Sequence, residues 1–361
     1  MIGHIYILVA LALGAGCSMA PQPETHALRR AKNVVLFLGD GTGIPTLHAA
    51  SIYGYGEPQR LFVQRMPHLA LSETSTASQW VTDSAAGMTA IMTGEKTHNG
   101  VVSQSAEAVR GEKDGAPLKT LLEYAEERGL STGIVSNSAL SDATPAACYA
   151  HSNDRDNHGL IFAQILKPRF GDGVDVIIGP GRQQIMEATA ALGIDLAADL
   201  AQAGYQFVDN QTSMRETADG GGRLVALYPS DEFDLSIAAN AASDILNQNP
   251  KGFFLMVESN NHFRDVAKTL SRAVAMDQMI QEITERLFGT DTLILFTADH
   301  SYDLRLPSAP RQQDILEHVL VDGSHTAEEV LVAAQGPGAE KVKGMVQNTR
   351  LFHIMLEAYG W

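Results

Sequence analysis

The sequence predicts an α/β fold, a central and mostly parallel β-sheet flanked by helices on both faces. Two observations carry this. Short apolar, β-rich runs alternate with helix-like segments, the pattern of parallel strands joined by crossover helices. The runs are also apolar at nearly every position, as strands covered on both faces must be, rather than alternating with polar residues.

In chain order the candidate strands are Asn33–Leu38, Thr132–Ser136, Val174–Ile178, Gly252–Val257, Thr292–Thr297 and Val330–Ala334. The candidate helices are Ser84–Met92, Leu118–Arg128, Asp234–Asn247, Lys268–Leu287 and Thr349–Ala358. Residues 195–232 are polar and glycine-rich, notably at Gly220-Gly221-Gly222, and are expected to form peripheral excursions. No repeat or low-complexity linker divides the chain, so residues 21–361 are expected to form one catalytic domain.

Composition bounds the function. The 361 residues are 45% hydrophobic and 19% charged, which excludes disordered and fibrous classes. Lys and Arg total 26 against 42 Asp and Glu, a net charge of −16 that disfavours nucleic acid as a main partner. Cys17 and Cys148 cannot form a disulfide framework, and no Cys-x-x-Cys pair offers a thiolate metal site. Residues 1–20 read as a signal peptide: Ile5–Ala15 is an apolar run too short to span a bilayer, and Ser18-Met19-Ala20 fits a cleavage site. Leu13–Cys17 also resembles a lipobox with Cys17 as the lipid-bearing residue. The absence of Lys and Arg before the apolar run departs from both patterns, and an uncleaved anchor or a misplaced start is the alternative. Export to the periplasm, with a candidate lipid anchor, is the expectation.

Polar residues cluster where the strands end. The first strand runs into Gly39-Asp40-Gly41-Thr42-Gly43, the second is followed by Asp142 and Thr144, the fourth by Glu258, Asn260 and His262, and the fifth by Asp299-His300. His325 precedes the last. A single Asp after a strand is more often a helix cap, and a single His more often hydrogen-bonded structure. Five segments delivering carboxylate, hydroxyl and imidazole groups to one sheet edge read instead as a metal centre, because ligands bind beyond the carboxyl ends of such strands. The glycine turn is not a dinucleotide fingerprint, since it lacks the required spacing and places Asp40 where a pyrophosphate would be repelled. Ser84, in Thr82-Asp83-Ser84-Ala85-Ala86-Gly87, is the nucleophile candidate at a helix N-terminus, where backbone N–H groups favour anions. Its plain alternative is a capping serine. A Ser–His–Asp hydrolase is the rival enzymatic reading, and the chain has no G-x-S-x-G elbow to support it.

These residues resemble the alkaline phosphatase family. The resemblance rests on Asn33–Gly41, Thr82-Asp83-Ser84-Ala85, Thr93-Gly94-Glu95-Lys96-Thr97, Asp142-Ala143-Thr144-Pro145 with Ala150–Arg155, Val257-Glu258, Thr297–His300, His325-Thr326 and Phe352-His353-Ile354-Met355, all in family order. It implies an alkaline-phosphatase-like fold and a site for two zinc ions and one magnesium acting on small phosphomonoesters. Asp40, Ser84, Asp299 and His300 would surround one zinc. His262 and His325 would bind the other, while Asp142, Thr144 and Glu258, with Asp40 bridging, would hold magnesium. Arg155 would bind phosphoryl oxygens with its planar fork. The implied reaction passes through a phosphoserine on Ser84.

Two departures from the family pattern stand out. The second zinc normally has a carboxylate between the Glu and the first His, where Glu258-Ser259-Asn260-Asn261-His262 offers amides; Asn260, or less directly Asp265, is the candidate replacement. The short interval between His300 and His325 omits a large insert that many relatives carry. The alternatives are a phosphodiesterase on the same scaffold and a catalytically weak, metal-dependent phosphate-binding relative. A sulfatase is disfavoured, because Ser84 lies outside a C/S-x-P-x-R context. A homodimer remains a candidate assembly.

Overall fold

The computed structural model describes residues 29–308 and 310–361. The signal segment and Cys17 therefore lie outside the described residues. In chain order the elements are β1 (Asn33–Asp40), α1 (Ile44–Tyr55), β2 (His68–Glu73), α2 (Ser84–Thr93), α3 (Leu121–Glu127), β3 (Ser131–Ser136), α4 (Ala143–Tyr149), α5 (His158–Ala163), β4 (Val176–Pro180), α6 (Arg182–Ala191), α7 (Leu196–Gln202) and β5 (Tyr205–Val208). There follow α8 (Gln211–Gly220), β6 (Arg223–Tyr228), α9 (Leu235–Leu246), β7 (Phe253–Asn260), α10 (Val266–Arg286), β8 (Thr292–Thr297), β9 (Ser301–Arg305), β10 (Leu320–Thr326), β11 (Val330–Gln335), β12 (Gly344–Gln347) and α11 (Asn348–Tyr359).

Ten strands form one sheet in the order β12-β2-β11-β8-β1-β7-β3-β4-β6-β5, and β9 and β10 form a separate antiparallel pair. All pairings in the large sheet are parallel except those of β11 with β2 and β8. All six predicted strands are present, with β1 and β7 each running two or three residues further toward the site than expected. Every residue of β1 is buried. Val34, Leu36 and Leu38 pack on one face with Met88 and Ile91 of α2 and Ile354 of α11. Val35 and Phe37 pack on the other with Leu47 of α1, Ala242 of α9 and Met276 of α10. This two-sided burial is why the strand sequences are apolar at successive positions.

The segment 195–232 corrects an expectation. It does not form a mere excursion: β5 and β6 complete one edge of the main sheet, and β6 is buried from Leu224 to Tyr228. The five-residue apolar run Leu224–Tyr228 outweighs the flanking glycines, which serve as the turn that delivers it.

Candidate active site and metal centre

Parallel strand direction carries the ends of β1, β3, β7 and β8 to a common carboxyl edge. β11 runs the opposite way, so its start lies at that edge too, and this brings His325 of the preceding β10 to the same place. Asp40 is the last residue of β1 and pairs in register with Asn260, the last of β7. Asp299 and His300 leave β8 directly. Among the described residues Asp40, Asp299 and His300 form a buried cluster in which one ligand atom from each lies within 4.8 Å of the others.

The nitrogens and oxygens here converge without pairing. Asp40 Oδ1 stands 3.2 Å from His300 Nε2 and 3.3 Å from His262 Nδ1. Yet Asp40 Oδ1, His262 Nδ1 and Asp299 Oδ2 are buried and make no hydrogen bond. His300 presents Nε2 inward because Nδ1 is directed at the Ser301 carbonyl at 3.0 Å, and Asp299 Oδ1 accepts from the His300 and Gly41 amides at 3.0 and 3.3 Å. His325 is oriented the same way, with Nδ1 donating to the Thr82 carbonyl at 3.0 Å, and its ring stacks on that of His300 at 3.6 Å between centroids. Buried polar atoms with no partner are costly, so this pattern of lone pairs aimed at one point fits a bound cation. Mixed imidazole and carboxylate donors suit zinc.

Ser84 opens α2 rather than capping it. The cap is Asp83, whose Oδ1 accepts from the Ala86 amide at 3.0 Å, leaving the Ser84 hydroxyl free to face His300 Nε2 at 3.3 Å. Gly87 allows this approach: a Cβ there would stand 2.8 Å from the Asp299 carbonyl oxygen. Asp83 Oδ2 also accepts from the Gly100 amide at 2.8 Å and from Arg155 Nη1 at 3.1 Å, while Arg155 Nη2 donates to Asp142 Oδ1 at 2.9 Å. Two carboxylates thus hold the guanidinium fork beside the N-terminus of α2.

A third group offers hard oxygens. Glu258 is fully buried; Ser136 Oγ donates to Glu258 Oε2, while Oε1 has no partner. Thr144 Oγ1, in the first turn of α4, is likewise buried and unpartnered. Asp142 caps α4 and lies close enough to Glu258 to act on its charge. Carboxylate and hydroxyl oxygens without competing nitrogen donors suit magnesium.

The site's charges are unbalanced as it stands. Burial raises Asp299 to about 6, with the Asp40 charge adding to it. Burial alone would raise Asp40, but His262, His300 and His325 outweigh it and hold that carboxylate well below the usual range. Burial would lower His300, but Asp299 and Asp40 raise it to about 9. Burial and the neighbouring His300 lower His325 to about 4. Burial, then Asp40, pushes Glu258 well above an ordinary carboxyl. Ionised together, the carboxylates need a compensating cation.

His262 approaches Asp40, and its ring meets those of His300 and His325 at 5.7 Å in each case. Asn260 does not join them as a free donor: its Oδ1 accepts from the His262 amide at 3.2 Å. Asp265 caps α10, accepting from the Lys268 amide at 3.1 Å, and is exposed. Sequence reasoning overlooked the roles of Asp83, Ser136 and Tyr302, whose ring lies 5.3 Å from that of His262. The position of Asp83 before a helix was the available signal for the first; the others depend on long-range contacts.

Comparison with known proteins identifies the family and the fold. The family model for alkaline phosphatase matches residues 31–318. The human tissue-nonspecific alkaline phosphatase isozyme is 31% identical over 385 residues, covering 89% of this chain and 73% of that protein. The Escherichia coli alkaline phosphatase is 29% identical over 431 residues, covering 93% and 89%. The solved alkaline phosphatase of the Antarctic bacterium TAB5 shares the fold, with a TM-score of 0.80 at 23% identity over 92% of this chain and 99% of that one. A variant of that enzyme holds magnesium in its M3 site. With a family match over most of its length and a human relative above 30% identity, this chain belongs to the alkaline phosphatase family of enzymes.

Proposed function

We propose that this chain is an exported hydrolase of small phosphomonoesters that works through a phosphoserine on Ser84. The observation that carries the reading is the Ser84 hydroxyl at the start of α2, 3.3 Å from His300 Nε2, beside the unpartnered Asp40–Asp299–His300 cluster. Asp40, Asp299 and His300 fit one zinc, with Ser84 alongside. His262 and His325 fit a second, weaker zinc, and the hard oxygens of Asp142, Thr144 and Glu258 fit magnesium. Bound metal ions supply Lewis acidity, favouring the ionised hydroxyl and offsetting charge on the reacting oxygens.

The chain's own groups do the rest. Ser84 Oγ gives up its proton to solvent and attacks phosphorus; the Oγ–P bond forms as the bond to the leaving oxygen breaks, and that oxygen leaves as an alcohol after taking a proton back from water. Arg155, fixed by Asp83 and Asp142, presents its remaining N–H groups to the phosphoryl oxygens, and the N-terminus of α2 adds favourable dipole charge. Water then cleaves the phosphoserine, releasing phosphate and restoring the hydroxyl.

A second reading, a weak phosphate binder, draws on Asn260 standing where a carboxylate would bind zinc. Hydrolysis of p-nitrophenyl phosphate and bis(p-nitrophenyl) phosphate in zinc and magnesium separates the readings. Turnover of the monoester in preference to the diester, lost on chelation and restored by the metals, is expected. Preference for the diester overturns the monoesterase reading, and phosphate binding without turnover favours the second.

A further inference from the structure

Arg155 is held by Asp83 and Asp142, yet its own chain neighbours are two further acids, Asp154 and Asp156. Among the described residues neither of these pairs with the Arg155 fork, because Arg110 takes both. Its Nε donates to Asp154 Oδ1 at 2.9 Å and its Nη2 to Asp156 Oδ2 at 2.8 Å, one edge of a guanidinium bridging two carboxylates. Arg110 is set in a tight turn, in which the Val109 amide donates to the Lys113 carbonyl at 2.9 Å and the Gly111 amide reaches the Asn153 carbonyl at 3.4 Å. Its aliphatic stem lies on Gly100, where a Cβ would stand 2.4 Å from Arg110 Cδ. Gly100 in turn donates its amide to Asp83 Oδ2 at 2.8 Å and accepts from the Arg155 amide at 2.8 Å. A single glycine thus joins the support of Arg110 to that of Arg155. Asp154 also lies within range of Arg155: burial would raise its carboxyl, but Arg110 and then Arg155 hold it below the ordinary range. Adjacent acid and guanidinium do pair elsewhere in this chain, as Glu127 Oε2 accepts from Arg128 Nη1 at 3.0 Å.

We propose that Arg110 is a positioning residue for phosphate binding: by occupying Asp154 and Asp156 it leaves the remaining N–H groups of Arg155 to the phosphoryl oxygens. This rests on the reading of Arg155 as the phosphoryl-binding group. Without Arg110, two uncompensated carboxylates flank the fork, competing for its donors and repelling an incoming anion. An isolated exposed ion pair would matter little, but here Asp83, Asp142, Asp154 and Asp156 form one network with the two guanidinium groups. The hydrogen bonds of the Arg110 guanidinium go to Asp154 and Asp156 and to none of the residues that fit a metal ion, so its effect reaches phosphate through Arg155.

The test is calorimetric titration of inorganic phosphate into metal-loaded wild type, Arg155→Met, Arg110→Met, Arg110→Lys, and Arg110→Met combined with Asp154→Asn and Asp156→Asn. The Kd is expected to rise about fivefold in Arg110→Met and by less in Arg110→Lys, which keeps the charge without the fork. In the triple variant it should return to the wild-type value or below, with bound metal unchanged throughout. Unaltered binding in Arg110→Met, a loss that tracks lost metal, or a loss that the triple variant does not restore overturns the proposal, since general damage to the fold would be indifferent to the flanking charges. Arg155→Met decides the underlying reading: if it leaves phosphate binding intact, both fall. If p-nitrophenyl phosphate is not hydrolysed, yet phosphate binding weakens in Arg110→Met and recovers in the triple variant, the hydrolase reading fails while the positioning role stands.

Discussion

Three separate groups depend on the carboxylate of Asp83, which makes it an informative residue to perturb. One oxygen caps α2 through the Ala86 amide, and the other accepts from the Gly100 amide and Arg155. Asp83→Ala removes a cap, worth about 1 kcal/mol. It also removes a hydrogen bond to a charged acceptor, worth about 1.5–3 kcal/mol. The ion pair with Arg155 is only partly shielded, with side-chain exposures of 18% and 20%, and adds at most about 1 kcal/mol. Because these terms share one side chain they do not add fully, and a loss of about 3–4 kcal/mol is expected in urea denaturation. Asp83→Asn keeps the cap but turns an amide N–H toward the Gly100 amide and Arg155, so it should lose about 1 kcal/mol less. Both variants release one of the two carboxylates that fix the Arg155 fork. Inhibition by inorganic phosphate should therefore weaken roughly tenfold in each. The reasoning is refuted if Asp83→Asn binds phosphate as tightly as wild type or more tightly, since relief of charge repulsion would then outweigh the loss of orientation.

Asn260→Asp should strengthen zinc retention at His262 and His325 by tenfold or more, since the new carboxylate can still accept from the His262 amide; equal zinc loss from both proteins on dialysis against a chelator removes Asn260 from the site. Gly41→Ala should destabilise the fold by roughly 2–3 kcal/mol and lower the bound zinc, because Gly41 has φ of 66° and the new Cβ would stand 2.5 Å from that of His262; an unchanged melting temperature and metal content contradicts this. Burial, reinforced by Asp175 and Asp172, raises Glu126 from 4.5 to about 7, so the folded state holds a proton that the unfolded chain has lost. Stability from this group is therefore complete below pH 4.5 and lost as pH rises through 7, and Glu126→Gln should be more stable than wild type at pH 8 by about 2–3 kcal/mol but not at pH 4.5. Parallel stability–pH curves for the two proteins would rule out Glu126 as the source.

The strands and the ends that carry Asp40, Asp299 and His300 were legible because a two-sided parallel sheet demands uninterrupted apolar runs, and polar residues after such runs have few structural uses. The small β9–β10 pair escaped notice because β10 is polar and nowhere fully buried, giving no periodic signal. Yet β10 holds His325, whose membership of the site follows from the antiparallel direction of β11, a property of pairing that no local run encodes. The same limit applies to Ser136 donating to Glu258 across 122 residues of sequence. Ser84 was legible as the start of a helix, but its freedom from capping depends on Asp83 taking that role.

Covalent phosphorylation of Ser84 is the central claim, and acid-quenched mass spectrometry tests it directly. Wild-type protein loaded with zinc and magnesium is mixed with p-nitrophenyl phosphate, quenched during turnover and digested. The account predicts one phosphate on the peptide spanning Thr82–Thr89, located on Ser84, and no phosphopeptide or turnover in Ser84→Ala. That variant should retain wild-type stability, because Asp83 supplies the cap. Sustained hydrolysis by Ser84→Ala, or phosphate recovered on another residue, would contradict the account.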